Sequence, residues 1–210
     1  MVINHTYKFV FVHVPKTGGS SMRRALTQLE GNCSELPSVG TKHQTISQLV
    51  ESRHDVVVDE GSLVIRGETY TVFGYVRNPW ARMVSLYRYL VESRPRCEID
   101  HVSCFEGLVV LAEDKCSWVA QLHSLRPQAE FFSLDAGGRP LNTHIGRYED
   151  FESEFSAISK KIGLPPLKLG RENVSSSSGV DYRLEYNTTT REIVGDIFAS
   201  DIVQFDYSFL

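Results

Sequence analysis

The stretch Tyr7–Leu26, YKFVFVHVPKTGGSSMRRAL, constrains the fold more than any other part of this 210-residue chain. Tyr7–Val14 is almost unbroken apolar and β-branched sequence, the pattern of a buried, parallel strand. Pro15 ends it, because proline cannot donate to a ladder. Lys16-Thr17-Gly18-Gly19-Ser20-Ser21 follows, and behind it Met22, Ala25, Leu26 and Leu29 recur at helical spacing. Strand, glycine-bearing loop and helix N-terminus in that order make an anion site. The glycines let successive N–H groups converge, and the helix end carries partial positive charge. Ser20 and Ser21 can cap the helix and donate hydroxyls, while Lys16 supplies a full charge. The order differs from the nucleotide-triphosphate loop G-x-x-x-x-G-K-[ST], whose lysine follows the last glycine. Here the lysine comes first, and no later strand ends in an evident magnesium-holding aspartate. A tight turn with a solvated lysine is the plain alternative.

The length fits one domain spanning residues 1–210, with a substantial core. A net charge of −4 and a pI near 6.0 argue against a nucleic-acid binder. No apolar run reaches the length of a membrane span, and the N-terminus lacks a basic region followed by an apolar one. Cytoplasmic is therefore the default, with a luminal or secretory setting as the alternative. That alternative comes from Asn4, Asn32, Asn173 and Asn187, which all lie in N-x-[ST] sequons. Cys33, Cys97, Cys104 and Cys116 show no metal-ligand spacing; Cys97 and Cys104 could close a small loop, but free thiols are the simpler reading. Oligomeric state is not legible.

Beyond the first helix, Thr45 to about Arg53 reads as a helix, and Val56–Val58 with Leu63–Ile65 as a hairpin or irregular edge. Tyr70–Val76 is a second core strand, and Pro79 suits the first turn of a helix running to about Glu92. Helices follow at Phe105–Glu113 and Ser117–Leu125. Glu130–Leu134 and Thr143–Arg147 read as strands, and Tyr148–Ile162 as a helix. Gly163–Val180 is a long loop of the kind that carries function, and Thr189 with Glu192 reads as the capping box of a closing helix. Alternating strands and helices imply an α/β fold: a single three-layer domain with a mostly parallel central sheet.

The second strand-to-helix junction is Arg77-Asn78-Pro79-Trp80-Ala81-Arg82-Met83-Val84-Ser85-Leu86-Tyr87. A fixed guanidinium at the strand end and a hydroxyl two helical turns later can grip a second phosphate. In a parallel sheet both loops lie at the strands' carboxyl ends, where ligands bind. Two separate grips imply a ligand phosphorylated at two distant points. Arg82 and Tyr87 read as a salt bridge and a core aromatic as readily as cofactor contacts, and His13 reads as a packing histidine.

This pair of motifs resembles those of the sulfotransferases that use 3′-phosphoadenosine-5′-phosphosulfate (PAPS), specifically the carbohydrate-type group with bacterial relatives. Lys16–Ser21 resembles their 5′-phosphosulfate loop, and Arg77 with Ser85 their 3′-phosphate pair in R-N-P-x-x-R-x-x-S-x-Y. The likeness extends through Thr41-Lys42-His43, Ile145–Phe151 and Asp206-Tyr207-Ser208-Phe209. Ser177–Tyr182 resembles the loop that covers the cofactor, with Gly179 and Tyr182 as its contacts here, although the basic residues often found there are missing. The resemblance implies a P-loop-like cofactor site and metal-free transfer of a sulfuryl group from PAPS to a hydroxyl, less readily an amine, of a carbohydrate or small molecule. Lys16 would neutralise the leaving phosphate. His43 would be the base, as in histidine-using relatives such as the heparan 2-O-sulfotransferases. Glu51, Asp59 and Glu60 are the fallback bases, since other branches use a carboxylate. An ATP-dependent kinase and a non-catalytic nucleotide-binding member of the same fold are the alternatives.

Overall fold

The structure is a computed structural model that describes residues 1–30, 32–33, 42–93, 102, 104–115, 117–134, 141–167 and 181–210. It divides into two compact units: Met1–Val76 with Gln128–Glu172, and Arg77–Pro127 with Asn173–Leu210.

The first unit holds the sheet. Its strands are β1 (Val2–Asn4), β2 (Phe9–Val12), β3 (Asn32–Cys33), β4 (Val56–Asp59), β5 (Ser62–Ile65), β6 (Glu68–Val76) and β7 (Thr143–Arg147). Its helices are α1 (Gly19–Thr27) and α2 (Ile46–Ser52), joined later in the chain by a third at Phe151–Ile162. The strand order is β3-β1-β2-β6-β5-β4, with β7 also on β6. β6 is the axis. Its residues Thr71–Gly74 pair with β2, while Glu68–Tyr70 take β5 and Val72–Val76 take β7.

The expectation of a mostly parallel sheet is corrected here: the sheet is mixed. Among the described residues β2–β6 and β6–β7 are parallel, while β1–β2, β1–β3, β4–β5 and β5–β6 are antiparallel. The reason is connection length. A parallel pair needs a crossover of about a dozen residues or more, and Glu60-Gly61 and Arg66-Gly67 are two-residue turns. All four of those residues have positive φ, the signature of the hairpin turn that matches strand twist. β1 was not legible in the sequence. It turns into β2 through Asn4, a buried residue whose Oδ1 accepts from Tyr7 N at 2.9 Å while Nδ2 donates to Glu30 O. This sequon asparagine is a turn-former.

One face of the sheet presents Phe9, Phe11, Phe73 and Tyr75 to Met22 and Leu26 of α1 and to Ile158 of the 151–162 helix. On the other face Phe132 lies against β6 at Gly74. The strand expected at 130–134 is instead a 3-10 turn, Ala129–Phe131, with Phe131 and Phe132 both buried. A short apolar run looks alike whether it pairs in a sheet or plugs one.

The second unit is helical: α3 (Pro79–Ser93), α4 (Phe105–Glu113) and α5 (Ser117–Ala120). With the 151–162 helix taken as α6, α7 is Thr188–Ile197 and α8 is Ala199–Phe205. Trp80, Val84, Leu90, Phe105, Leu108 and Phe198 are among its core. α7 begins at Asn187, not at Thr189. Asn187 Oδ1 accepts from Thr190 N at 2.8 Å and Thr190 Oγ1 accepts from Asn187 N at 3.0 Å. Asparagine caps a helix at least as well as threonine, so the reciprocal box forms two residues earlier than expected. Helicity in 117–125 is interrupted between α5 and a 3-10 turn at His123–Leu125. Cys104 caps α4 and is a free thiol; the Cys97–Cys104 pairing considered above lies outside the described residues. Among the described residues no helix is long and apolar enough to cross a membrane.

Candidate active site

β2 runs straight into the lysine loop. Past Val12, His13, Val14 and Pro15 are all buried, and then the chain turns sharply: Lys16 has φ +69° and Gly18 φ +72°. Thr17 pins the turn, its buried hydroxyl donating to Val14 O at 2.9 Å. A left-handed lysine costs of order 1–3 kcal/mol and persists only where the surroundings enforce it. Here they do, because both glycines are fixed by close approach. A Cβ on Gly18 would stand 2.8 Å from the Tyr148 ring, and one on Gly19 2.1 Å from Cδ2 of His13.

The serines behave differently from expectation. Gly18, not Ser20 or Ser21, is the N-cap residue of α1, and as a glycine it makes no side-chain cap bond. Ser20 and Ser21 stand in the first turn, where backbone N–H groups have no acceptor within the helix. They lie at the positive end of the helix dipole, two and three residues past the cap.

His43 lies against this loop. Its Nδ1 is 2.9 Å from the carbonyl oxygen of His13, and the two imidazoles meet edge to face at 4.5 Å between centroids. A carbonyl only accepts, so Nδ1 carries the hydrogen and the basic lone pair is on Nε2. What holds His43 there is the start of α2. Thr45 Oγ1 accepts from Gln48 N at 3.2 Å and Gln48 Oε1 accepts from Thr45 N at 3.0 Å, a full capping box two residues after the histidine. His13 is 2% exposed, and burial foremost, with His43 next, lowers its pKa to about 2. It is a neutral ring at any physiological pH. The fallback carboxylates are placed otherwise: Glu51 is exposed on α2 and accepts from Ser47 Oγ, while Asp59 and Glu60 are exposed at the β4–β5 turn.

The second junction opens the second unit. Arg77 is half-buried. Asn78 caps α3, its Oδ1 accepting from Trp80 N at 3.1 Å, and Nδ2 donates to Ser208 O at 2.7 Å. Ser85 and Arg82 share the helix face of Asn78, at seven and four residues' distance. Arg82 is 1% exposed and paired with the buried Asp201, so it is structural. Tyr87 packs edge to face on Phe105. Tyr182 donates its hydroxyl to Phe209 O at 2.9 Å, and the Phe209 ring also meets Trp80, Tyr186 and Arg191. The segment 206–209 thus ties both Asn78 and Tyr182 in place. Gly179 and Thr41 lie outside the described residues.

The structure therefore gathers Lys16–Ser21, His13, His43 and Tyr148 within one unit, and Arg77, Ser85 and Tyr182 within the other. Sequence reasoning missed Tyr148 and the loop-facing role of His13. It also missed Asn78, whose position directly before Pro79 was the available signal. Among the described residues no cluster of three or more His, Cys, Asp or Glu side chains could hold a metal ion.

A family model described as the sulfotransferase family matches residues 1–208. The chain is also 31% identical over 96 residues to an uncharacterized protein of Archaeoglobus fulgidus, covering 46% of this chain and 70% of that protein. No solved structure matches. With nearly its whole length matched, this chain belongs to the sulfotransferase family.

Proposed function

We propose that this protein transfers a sulfuryl group from PAPS to a hydroxyl of a carbohydrate or small-molecule acceptor, with both compact units acting as one sulfotransferase domain. The observation that carries this is the Lys16–Ser21 loop. Its glycines are pressed against His13 and Tyr148 and its helix begins on a left-handed glycine N-cap, which fits a phosphate-sized anion held by backbone N–H groups. The donor, when bound, supplies an activated sulfuryl group on its 5′-phosphate. Lys16 and the α1 N-terminus neutralise the charge that gathers on that phosphate as the S–O bond breaks. Arg77 and Ser85 hold the 3′-phosphate, which distinguishes the donor from ATP, with Gly179 and Tyr182 on the covering side. His43 Nε2 takes the acceptor's proton as its oxygen bonds to sulfur. Positioning and charge neutralisation supply the rate, as in phosphoryl transfer. Sulfate transfer from labelled PAPS to a panel of hydroxyl and amine acceptors tests the reading. Tighter binding of ATP than of the product PAP would favour a kinase instead.

Arg77→Ala and Ser85→Ala are expected to weaken PAP binding, Arg77 more, because its contact is charge-assisted. Titrations with adenosine 5′-phosphate should show little change. Equal losses for both nucleotides would assign these residues to structure rather than to the 3′-phosphate.

His43→Ala is expected to leave PAP affinity intact and to lower turnover by roughly 10²-fold or more. The acidic limb of the rate profile should disappear with it, since protonated imidazole cannot accept. Retained activity with an unshifted profile would move the role to Glu51, Asp59 or Glu60.

A further inference from the structure

His13 is a poor choice for stability alone. Its ring is buried and its Nδ1 has no hydrogen-bond partner among the described residues. An imidazole buried with an unmet nitrogen destabilises a fold relative to an apolar side chain of similar size. Phe11 stacks on one side of it at 6.0 Å, so an aliphatic residue would suit the neighbourhood. Side chains that break a local rule without local compensation concentrate at functional sites. What the ring and backbone of His13 touch shows which function that is. The ring edge, Cδ2 and Nε2, lies against Gly19, the first residue of α1. The ring also abuts the imidazole of His43, and the His13 carbonyl accepts from His43 Nδ1.

We propose that His13 is a positioning residue: its carbonyl and ring together hold His43 in the tautomer and orientation that present Nε2 to the acceptor, and tie that nitrogen to the lysine loop at Gly19. The inference rests on the reading of His43 as the base. The carbonyl fixes which nitrogen carries hydrogen, and the crossed rings, at 62°, fix the imidazole plane. Because the same side chain wedges against Gly19, base and loop form one body. A transfer step is sensitive to such spacing; a misplacement of about 1 Å can cost roughly 10²-fold. The charged groups facing this pair are Arg23 of α1, Lys42 beside His43 and the amino group of Met1. Arg23 and Lys42 are cationic, while burial foremost, with Arg23 next, lowers the pKa of the Met1 amino group to about 5 and leaves it largely neutral at pH 7. A neutral His13 thus adds no further charge beside the base.

The test is His13→Leu in the full chain, alongside His43→Ala. The expected variant folds with an unchanged or higher Tm at pH 7 and binds PAP within about twofold of wild type. Its kcat falls about tenfold or more, with little change in acceptor KM and a displaced acidic limb. It should also resist acid better. Unfolded His13 takes up a proton below its ordinary pKa of 6.5 and the folded residue does not, so wild type loses stability as pH falls below that value. Unchanged kcat and an unmoved limb in His13→Leu, with His43→Ala inactive, would overturn the positioning role alone. An active His43→Ala with an unshifted profile would remove the base reading itself. Nitrogen-15 NMR of the wild-type imidazoles decides the matter without activity: His43 is expected as the Nδ1–H tautomer, and finding it as Nε2–H would overturn the proposal even if His13→Leu fails to fold.

Discussion

Replacing Lys16 with alanine is expected to lower sulfate transfer about 10²–10³-fold, the ~2.7–4 kcal/mol of barrier typical of one lost charge-stabilising contact. The fold should survive, because the lysine side chain is half-exposed and the turn is held by other groups. Thr17 keeps its bond to Val14 O, and Gly18 and Gly19 keep their contacts with Tyr148 and His13. Lys16→Gly sharpens the experiment. Lys16 sits at φ +69°, where glycine carries no steric penalty, so this variant should melt at or above the wild-type temperature and still be as slow as Lys16→Ala. A stabilised but inactive protein separates charge from architecture. Wild-type-like turnover in Lys16→Ala would sink the assignment of the loop.

What the sequence revealed followed from how local the determining physics is. The lysine loop was legible because strand, proline, glycines and amphipathic helix are all read within twenty residues. The Glu60-Gly61 hairpin was legible for the same reason. The 151–162 helix was as well, though its first turn, Tyr148–Asp150, is 3-10. Sheet direction was not, because it depends on which edge of β6 each later strand joins. β5 and β7 divide one edge of that strand between them, one antiparallel and one parallel, and nothing in either strand's own pattern announces this.

The candidate base was within reach only in outline. Thr45 and Gln48 announce a helix start, which places His43 just before it. That its Nδ1 meets a carbonyl from β2's exit depends on a contact thirty residues distant in sequence. His13 shows the limit most plainly. In the run Phe9–Val14 a lone histidine reads as packing, and only the proximity of Gly19 and His43 gives it another meaning. The loop serines show the converse error. Serine before a helix is the usual cap, but with Gly18 already left-handed the helix starts at Gly19 and the serines fall inside it.

The largest stability effect is expected from Arg82. Its side chain is 1% exposed, NH1 stands 3.8 Å from Oδ2 of the fully buried Asp201, and NH2 donates to Arg126 O at 3.0 Å. Phe198 lies 5.4 Å below the guanidinium. Burial lowers the arginine's pKa to about 10, with Asp201 opposing and Arg77 adding to the shift, so the group stays cationic at neutral pH. Arg82→Ala removes the counter-charge of a carboxylate that has no water to turn to, and such a broken pair costs about 3–5 kcal/mol. For a chain of this size that corresponds to a fall in Tm of roughly 10 °C. Replacing both partners with leucine should recover most of the loss, because the desolvation of two charges disappears together with their attraction. A double-mutant cycle over Arg82→Leu and Asp201→Leu reads the coupling directly. The function follows the same logic. α3 carries Ser85 and begins two residues after Arg77, so the double variant, with its helix re-packed, should bind PAP nearly as wild type does below its melting temperature. A single variant that melts within about 2 °C of wild type would show that the pair contributes little to the fold. A double variant that folds well but no longer discriminates PAP from adenosine 5′-phosphate would move Arg82 from the core into the 3′-phosphate grip.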